Sequence, residues 1–130
     1  MNKYVTDTMA IILRLEKRKL PGKVKEIFKK AENNQCEIVI PAIVFAEIAY
    51  LSERGRIDTN LEEVGSYLKK HRTISECSLN LKTITIAFDI DDIPELHDKL
   101  ISASAMQHNL KIITNDPDIQ KSKYVKAIWK

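Results

Sequence analysis

Four acidic residues stand where side chains could do chemistry. Asp7 follows the β-rich run Lys3 to Thr6, and Asp116, with Asp118 two residues on, follows KIITN. In an open α/β sheet ligands bind beyond the carboxyl ends of the strands, so the residues just after each strand are the first candidates. Glu47 draws notice for another reason. It is the only charged residue between Glu37 and Glu53, and Ile43, Val44, Ile48 and Leu51 surround it at helical spacing. A carboxylate on such a surface needs a partner, because burying an unpaired charge is costly or forces protonation. A metal ion or an arginine should therefore be close, and no arginine is an obvious candidate in sequence. Asp98 lies about one turn into a further helix, where the helix dipole favours the ionised form, ahead of the apolar positions Leu100, Ile101 and Ala105.

Each acid also has an ordinary explanation. Asp7 could cap the next helix, Asp116 could start a turn, Asp98 could make a dipole contact, and Glu47 could sit on a narrow exposed strip beside Tyr50 and Arg54. Together they form an oxygen-only ligand set, which is what Mg2+ or Mn2+ prefers. Such a site would orient an attacking water, lower its pKa and neutralise charge building on a phosphodiester. Like-charged carboxylates repel one another, so at least one should have a raised pKa when no metal is bound.

Strands and helices alternate around these acids. Strands are expected at 3–6, 36–40, 73–79, 111–114 and 124–129. Helices are expected from Thr8 to Glu16, from Pro21 to a stop at Asn33-Asn34, from Pro41 to Gly55, from a cap at Asp58 or Thr59 through Leu68, from Asn80 to Phe88, and from Asp92 through LHDKLISASAMQHNL. The Pro41 helix is apolar almost all round and reads as a core element. This alternation predicts an α/β fold with a mostly parallel sheet covered on both faces, and right-handed crossovers would bring the strand ends at Asp7 and Asp116 to the same edge.

Composition narrows the function. A chain of 130 residues with 44% hydrophobic content can bury one sizeable core, so residues 1–130 are expected to form a single domain. No apolar run reaches the length of a membrane span, and the start MNKYVTDT lacks the order of a signal peptide, so a cytoplasmic protein is expected. Cys36 and Cys77 stand far apart and read as free thiols in the core, not as nucleophiles. Gly22, Gly55 and Gly65 form no phosphate-cradling loop, which excludes P-loop chemistry. The net charge of +3 is compatible with a nucleic-acid partner but does not require one.

The segments YVTDTMAIILRL, IPAIVFAEIAYL and IPELHDKLISASAMQHNLKIITNDPDI, in that order and spacing, resemble the PIN-domain nucleases and, within them, the VapC-like toxins of toxin-antitoxin systems. The resemblance implies a PIN-like three-layer sandwich and metal-dependent endonucleolytic cleavage of RNA. It implies that Asp7, Glu47, Asp98 and Asp116 are the catalytic and metal-binding residues, with Mg2+ or Mn2+ as cofactor. Thr114 would hold the acids, and Asp118 falls at a position that varies in the family. Homodimers and an inhibiting antitoxin protein are implied partners, although some PIN domains process RNA without being toxins.

Two rivals have their own residues. His71, His97-Asp98 and Asp116 loosely follow the order of HD-type phosphohydrolases, but that domain is all-helical and the strands at 36–40 and 111–114 disagree with it. A binding module without catalysis would use the basic segment RLEKRKLPGKVKEIFKK to track phosphates, with the acids serving only as caps; aromatic residues are too few there to suggest stacking on bases.

Overall fold

The computed structural model describes residues 1–130. In chain order the elements are β1 (Lys3–Thr6), α1 (Thr8–Leu15), α2 (Gly22–Glu32), β2 (Glu37–Pro41), α3 (Ala42–Glu53), α4 (Leu61–Lys70), β3 (Ile74–Cys77), α5 (Leu81–Asp89), α6 (Leu96–His108), β4 (Lys111–Ile113), α7 (Pro117–Lys121) and β5 (Ala127–Ile128). The strands form one five-stranded sheet in the order β3-β2-β1-β4-β5, and every neighbouring pair is parallel. Successive strand residues point to opposite faces, yet Ile38, Val39 and Ile40 are all buried, as are Ile112, Ile113 and Thr114. Both faces of the sheet are therefore covered, as the near-continuous apolar runs of parallel strands require. The chain is an α/β sandwich with a parallel central sheet, as expected.

Strand order also fixes where a site can form. From β1 the sheet grows through β2 and β3 on one side and through β4 and β5 on the other. The crevice at this reversal, beyond the carboxyl ends of β1 and β4, is where open α/β sheets bind ligands. The register pairs Thr6 with Ile113, and the N–H of Asp7 donates to the Ile113 carbonyl at 3.0 Å, so the first residue past β1 sits beside the end of β4.

The core beneath the crevice is rich in isoleucine, with Phe28 of α2 as its one fully buried aromatic ring. Four corners close with the chain in a left-handed turn: Lys17, Asn34, Gly55 and Asn109 have φ of 54°, 61°, 67° and 54°. In each, the following residue donates back to a carbonyl five positions earlier, as Arg18 does to Leu13, Gln35 to Lys30 and Arg56 to Leu51.

Several sequence expectations need correction. The helix with the most buried residues is α6, not α3. In α6 Leu100 through Ala105 are all buried, because Ser102, Ala103, Ser104 and Ala105 are small enough for neighbouring elements to approach on every side. Only Val44 and Ile48 are buried in α3, and Tyr50 is 53% exposed with the Arg54 guanidinium 4.5 Å from its ring centre. The cap of α4 is Asn60 and not Asp58 or Thr59, while α6 is capped by Glu95 and not Asp92. Asp92 instead accepts from Ser122 Oγ and the Lys123 N–H, tying the loop before α6 to the segment after α7. The run 124–129 forms a strand only at Ala127–Ile128, and α7 was not expected.

Candidate active site

Four elements deliver the four acids to one cleft. Asp7 follows β1 and caps α1, with its Oδ1 accepting from the Ala10 N–H at 2.8 Å. Asp116 caps α7 in the same way, accepting from the N–H groups of Asp118 and Ile119 at 2.9 and 3.0 Å. Both caps exist because each strand ends directly at a helix start, where unpaired N–H groups need an acceptor. The ordinary explanation of these residues is thus correct as far as it goes. It leaves Asp7 Oδ2 and Asp116 Oδ2 outside the caps.

Asp98 is the third residue of α6, and its own N–H donates to the capping carboxylate of Glu95 at 2.9 Å. Glu47 lies mid-way along α3 and receives the Thr8 hydroxyl at 2.5 Å, and His97 Nδ1 lies 4.0 Å from it. That hydroxyl and imidazole answer the search for a partner to Glu47, which sequence reasoning sought in a metal ion or an arginine. Thr8, His97 and Glu95 are neighbours of the predicted acids in the chain, but only the packing of α1, α3 and α6 reveals their pairing.

Asp7, Glu47, Asp98 and Asp116 all line a cleft of about 470 Å³, together with Thr8, Met9, Leu13, Ile101, Asn115 and Trp129, and Arg18 is its sole cation. Asp118 does not line it; its exposed side chain is turned elsewhere. The Thr114 hydroxyl is at the base, donating to Asp7 Oδ2 at 2.5 Å. Burial pushes the Asp7 carboxyl up to about 6 despite its two hydrogen bonds, and Asp116 and Glu47 add repulsion. Burial likewise raises Asp98 to about 7, with Asp116, Glu95, Glu47 and Asp7 all disfavouring its charge. Glu47 is raised by burial against the Thr8 hydroxyl and the His97 ring, which act in the opposite direction.

Burial and neighbouring carboxylates oppose the ionisation of Asp7, Glu47 and Asp98, and with Asp116 lining the same cleft they form a site whose electrostatics call for a cation. No three acidic, histidine or cysteine side chains converge closely enough to wrap an ion on their own. Magnesium does not demand that: it keeps several waters and takes one or two carboxylates, so an all-oxygen set of this kind fits it.

His71, the first member of the rival histidine motif, lies in a different cavity, packed edge-on against Tyr67 with ring centres 4.9 Å apart. His97 hydrogen-bonds Glu95 at 2.6 Å, beside the acids. The histidine pattern is thus split, and the parallel sheet excludes an all-helical domain.

Comparison with known families agrees with this geometry: the model of the PIN domain matches residues 4–123. The chain belongs to the PIN-domain family. Solved structures share the PIN fold over nearly the whole chain. A chain of VapBC2 from Rickettsia felis, bound to a DNA fragment from its promoter, superposes with a TM-score of 0.74 at 18% identity, covering 98% of this PIN domain and 99% of that chain. DNA-bound VapBC from Salmonella typhimurium gives 0.72 at 15% identity, with 98% of each chain covered. A toxin-antitoxin complex from Klebsiella pneumoniae gives 0.63 at 16% identity, with 94% of each covered. No curated protein sequence matches this PIN domain.

Proposed function

We propose that this PIN domain is a metal-dependent endoribonuclease and the toxin of a toxin-antitoxin pair, with Asp7, Glu47, Asp98 and Asp116 as its catalytic residues. One observation carries the reading: four carboxylates from separate elements line one cleft at the reversal point of the sheet. Residues 1–130 act as one PIN-like unit. The toxin role and the antitoxin partner rest on likeness to chains of VapBC and of a toxin-antitoxin complex. No helix is long and apolar enough to cross a membrane, and we place the protein in the cytoplasm.

Asp7, Asp98 and Asp116 would hold Mg2+ or Mn2+, with Glu47 completing the set directly or through water. When bound, the ion supplies an activated water and neutralises charge on the phosphodiester as the bond breaks. The protein supplies positioning. Thr114 and the Ala10 N–H fix Asp7, the α7 N-terminus fixes Asp116, Thr8 fixes Glu47, and Arg18 offers the cleft a cation for a phosphate oxygen. Self-association into a homodimer has apolar surface available on α5, where Leu81, Ile84 and Phe88 are 79%, 39% and 62% exposed.

Purified protein incubated with mixed RNA and Mg2+ or Mn2+ should cut it. EDTA, Asp7→Asn and Asp98→Asn should each abolish cutting. Equal behaviour of wild type and both variants, with no carboxylate-dependent Mn2+ affinity, would favour a non-catalytic binding module.

A further inference from the structure

Beside the acidic cleft lies a second cavity of opposite character. It has a volume of about 640 Å³ and is enclosed by the corner between α1 and α2 together with the C-terminal end of α4. Six of its lining side chains are cationic, against one carboxylate, Glu32. Arg14 is occupied by Glu32, and Arg18 by Glu16, at 2.6 and 3.3 Å; Lys17, Lys19, Lys25 and Lys70 have no carboxylate within ion-pair distance. Unneutralised charge of one sign concentrated in a concave surface is costly to assemble and raises the local concentration of an anion.

The two cavities share a residue. Arg18 lines both the acidic cleft and the basic cavity. Its place is fixed by the chain: the left-handed turn at Lys17 sets Arg18 back over α1, and its guanidinium bonds Glu16. Glu16 is anchored in turn, accepting from the N–H groups of Asp58 and Thr59 at 3.0 and 2.9 Å and from the Thr59 hydroxyl at 2.7 Å. Tyr67 and His71 also line the basic cavity, giving its wall the ring surface that the basic segment lacks in sequence.

We propose that this cavity is a second RNA subsite, which holds backbone phosphates of the strand that leaves the acidic cleft past Arg18, with Lys17, Lys19 and Lys70 as the principal contacts. The inference rests on the nuclease reading for the identity of the polymer. A polyanion with a repeating charge suits a row of unpaired lysines next to a ring pair, the combination by which single strands are held without sequence preference. An acidic peptide would find the same lysines but has no use for continuity with four carboxylates.

The test is binding of a fluorescein-labelled, mixed-sequence, single-stranded RNA of about 20 nucleotides in EDTA, titrated across salt concentrations, for wild type and a Lys17→Ala/Lys19→Ala/Lys70→Ala variant. All three lysines are exposed, and circular dichroism checks that the variant folds. The variant should bind about tenfold or more weakly at low salt, and its slope of log K against log salt should be shallower by about 2, from three lost phosphate contacts at about 0.7 each. Unchanged affinity and slope would overturn the subsite, as would wild type binding a glutamate-rich peptide in place of the RNA. Metal-dependent cutting, assayed in parallel, separates the two readings. Cutting by wild type with no change in the variant's salt slope removes the subsite and leaves the nuclease. A shallower slope in the variant, with no cutting and no carboxylate-dependent Mn2+ affinity in wild type, supports the subsite and removes the nuclease.

Discussion

Thr114 Oγ1 donates to Asp7 Oδ2 at 2.5 Å and accepts from the Asp116 N–H at 3.0 Å, so one buried hydroxyl couples the acids that follow β1 and β4. Replacing it with an isosteric methyl leaves a half-buried N–H and a buried carboxylate each short of a partner. Thr114→Val should therefore cost about 1–3 kcal/mol of stability and weaken Mn2+ binding near neutral pH, while Thr114→Ser recovers both. Thermal melts and Mn2+ titrations read the two effects. A Val variant equal to wild type in both would remove Thr114 from any role in holding the acids.

The metal-free site should lower stability at neutral pH. Asp7 has a folded pKa of about 6, above its ordinary value of 3.8, so the folded state binds the proton more tightly than the unfolded state does. The sign follows: stability is greatest below the unfolded value and is lost as pH rises through the folded one. Asp7→Asn removes that loss. In EDTA near pH 7 the variant should melt a few degrees higher than wild type, a gain of about 1–2 kcal/mol, with the difference vanishing toward pH 4. A lower melting point for the variant at pH 7 would contradict this account.

A different network should lose strength in acid. Glu32 accepts from Arg14 Nε at 2.9 Å, Arg14 Nη2 at 2.6 Å and the Tyr67 hydroxyl at 2.6 Å. Burial acts against its charge, but these donors prevail and hold the carboxyl below its ordinary range. A depressed folded pKa gives stability that is present above the unfolded value and disappears as pH falls through the folded one. Glu32→Gln should cost about 1–3 kcal/mol at neutral pH and progressively less below about pH 4.5. Urea denaturation of both proteins across that range checks the convergence.

If α5 mediates self-association, charge on its apolar stripe should abolish it. Ile84→Glu and Phe88→Glu together should turn a dimer into a monomer in sedimentation, with little change in melting under conditions where both are monomeric, since both side chains are exposed. A wild-type protein that sediments as a monomer at all accessible concentrations would leave that surface without a role in dimerisation.

Phe28 provides a control for core packing far from any chemistry. It is fully enclosed within the main apolar cluster. Phe28→Ala should cost about 3–5 kcal/mol through lost transfer energy and the cavity left behind. Denaturant midpoints measure this directly.

The outline of the fold was legible because its signals are local. Alternating β-rich and amphipathic segments predicted the parallel sheet, and the positions of Asp7 and Asp116 after apolar strands put both near its switch point. What failed was decided by neighbours distant in sequence. The enclosure of α6 over α3 depends on how closely other elements approach Ser102 to Ala105, which hydrophobic periodicity does not measure. The helix Pro117–Lys121 is too short to show a period. Asp92 looked like a cap, but Ser122 and Lys123 claim it from thirty residues away. For the candidate site the acids were visible as residue types, whereas the supports that orient them were not: Thr8 reaches Glu47 across 39 positions and Thr114 reaches Asp7 across 107. The ring pair in the basic cavity was missed because Tyr67 comes from α4 and His71 from its C-cap, outside the basic segment.

The pairing of β1 with β4 has a consequence for the chain while it is being made. Translation runs from the N-terminus, so Asp7 and Glu47 leave the ribosome well before Lys111–Ile113 can dock beside β1. Until then Asp7 has neither the Thr114 hydroxyl nor the backbone bond to Ile113, and Asp116 is absent from the cleft. A nascent chain whose β4 is still held in the exit tunnel therefore has only half a site.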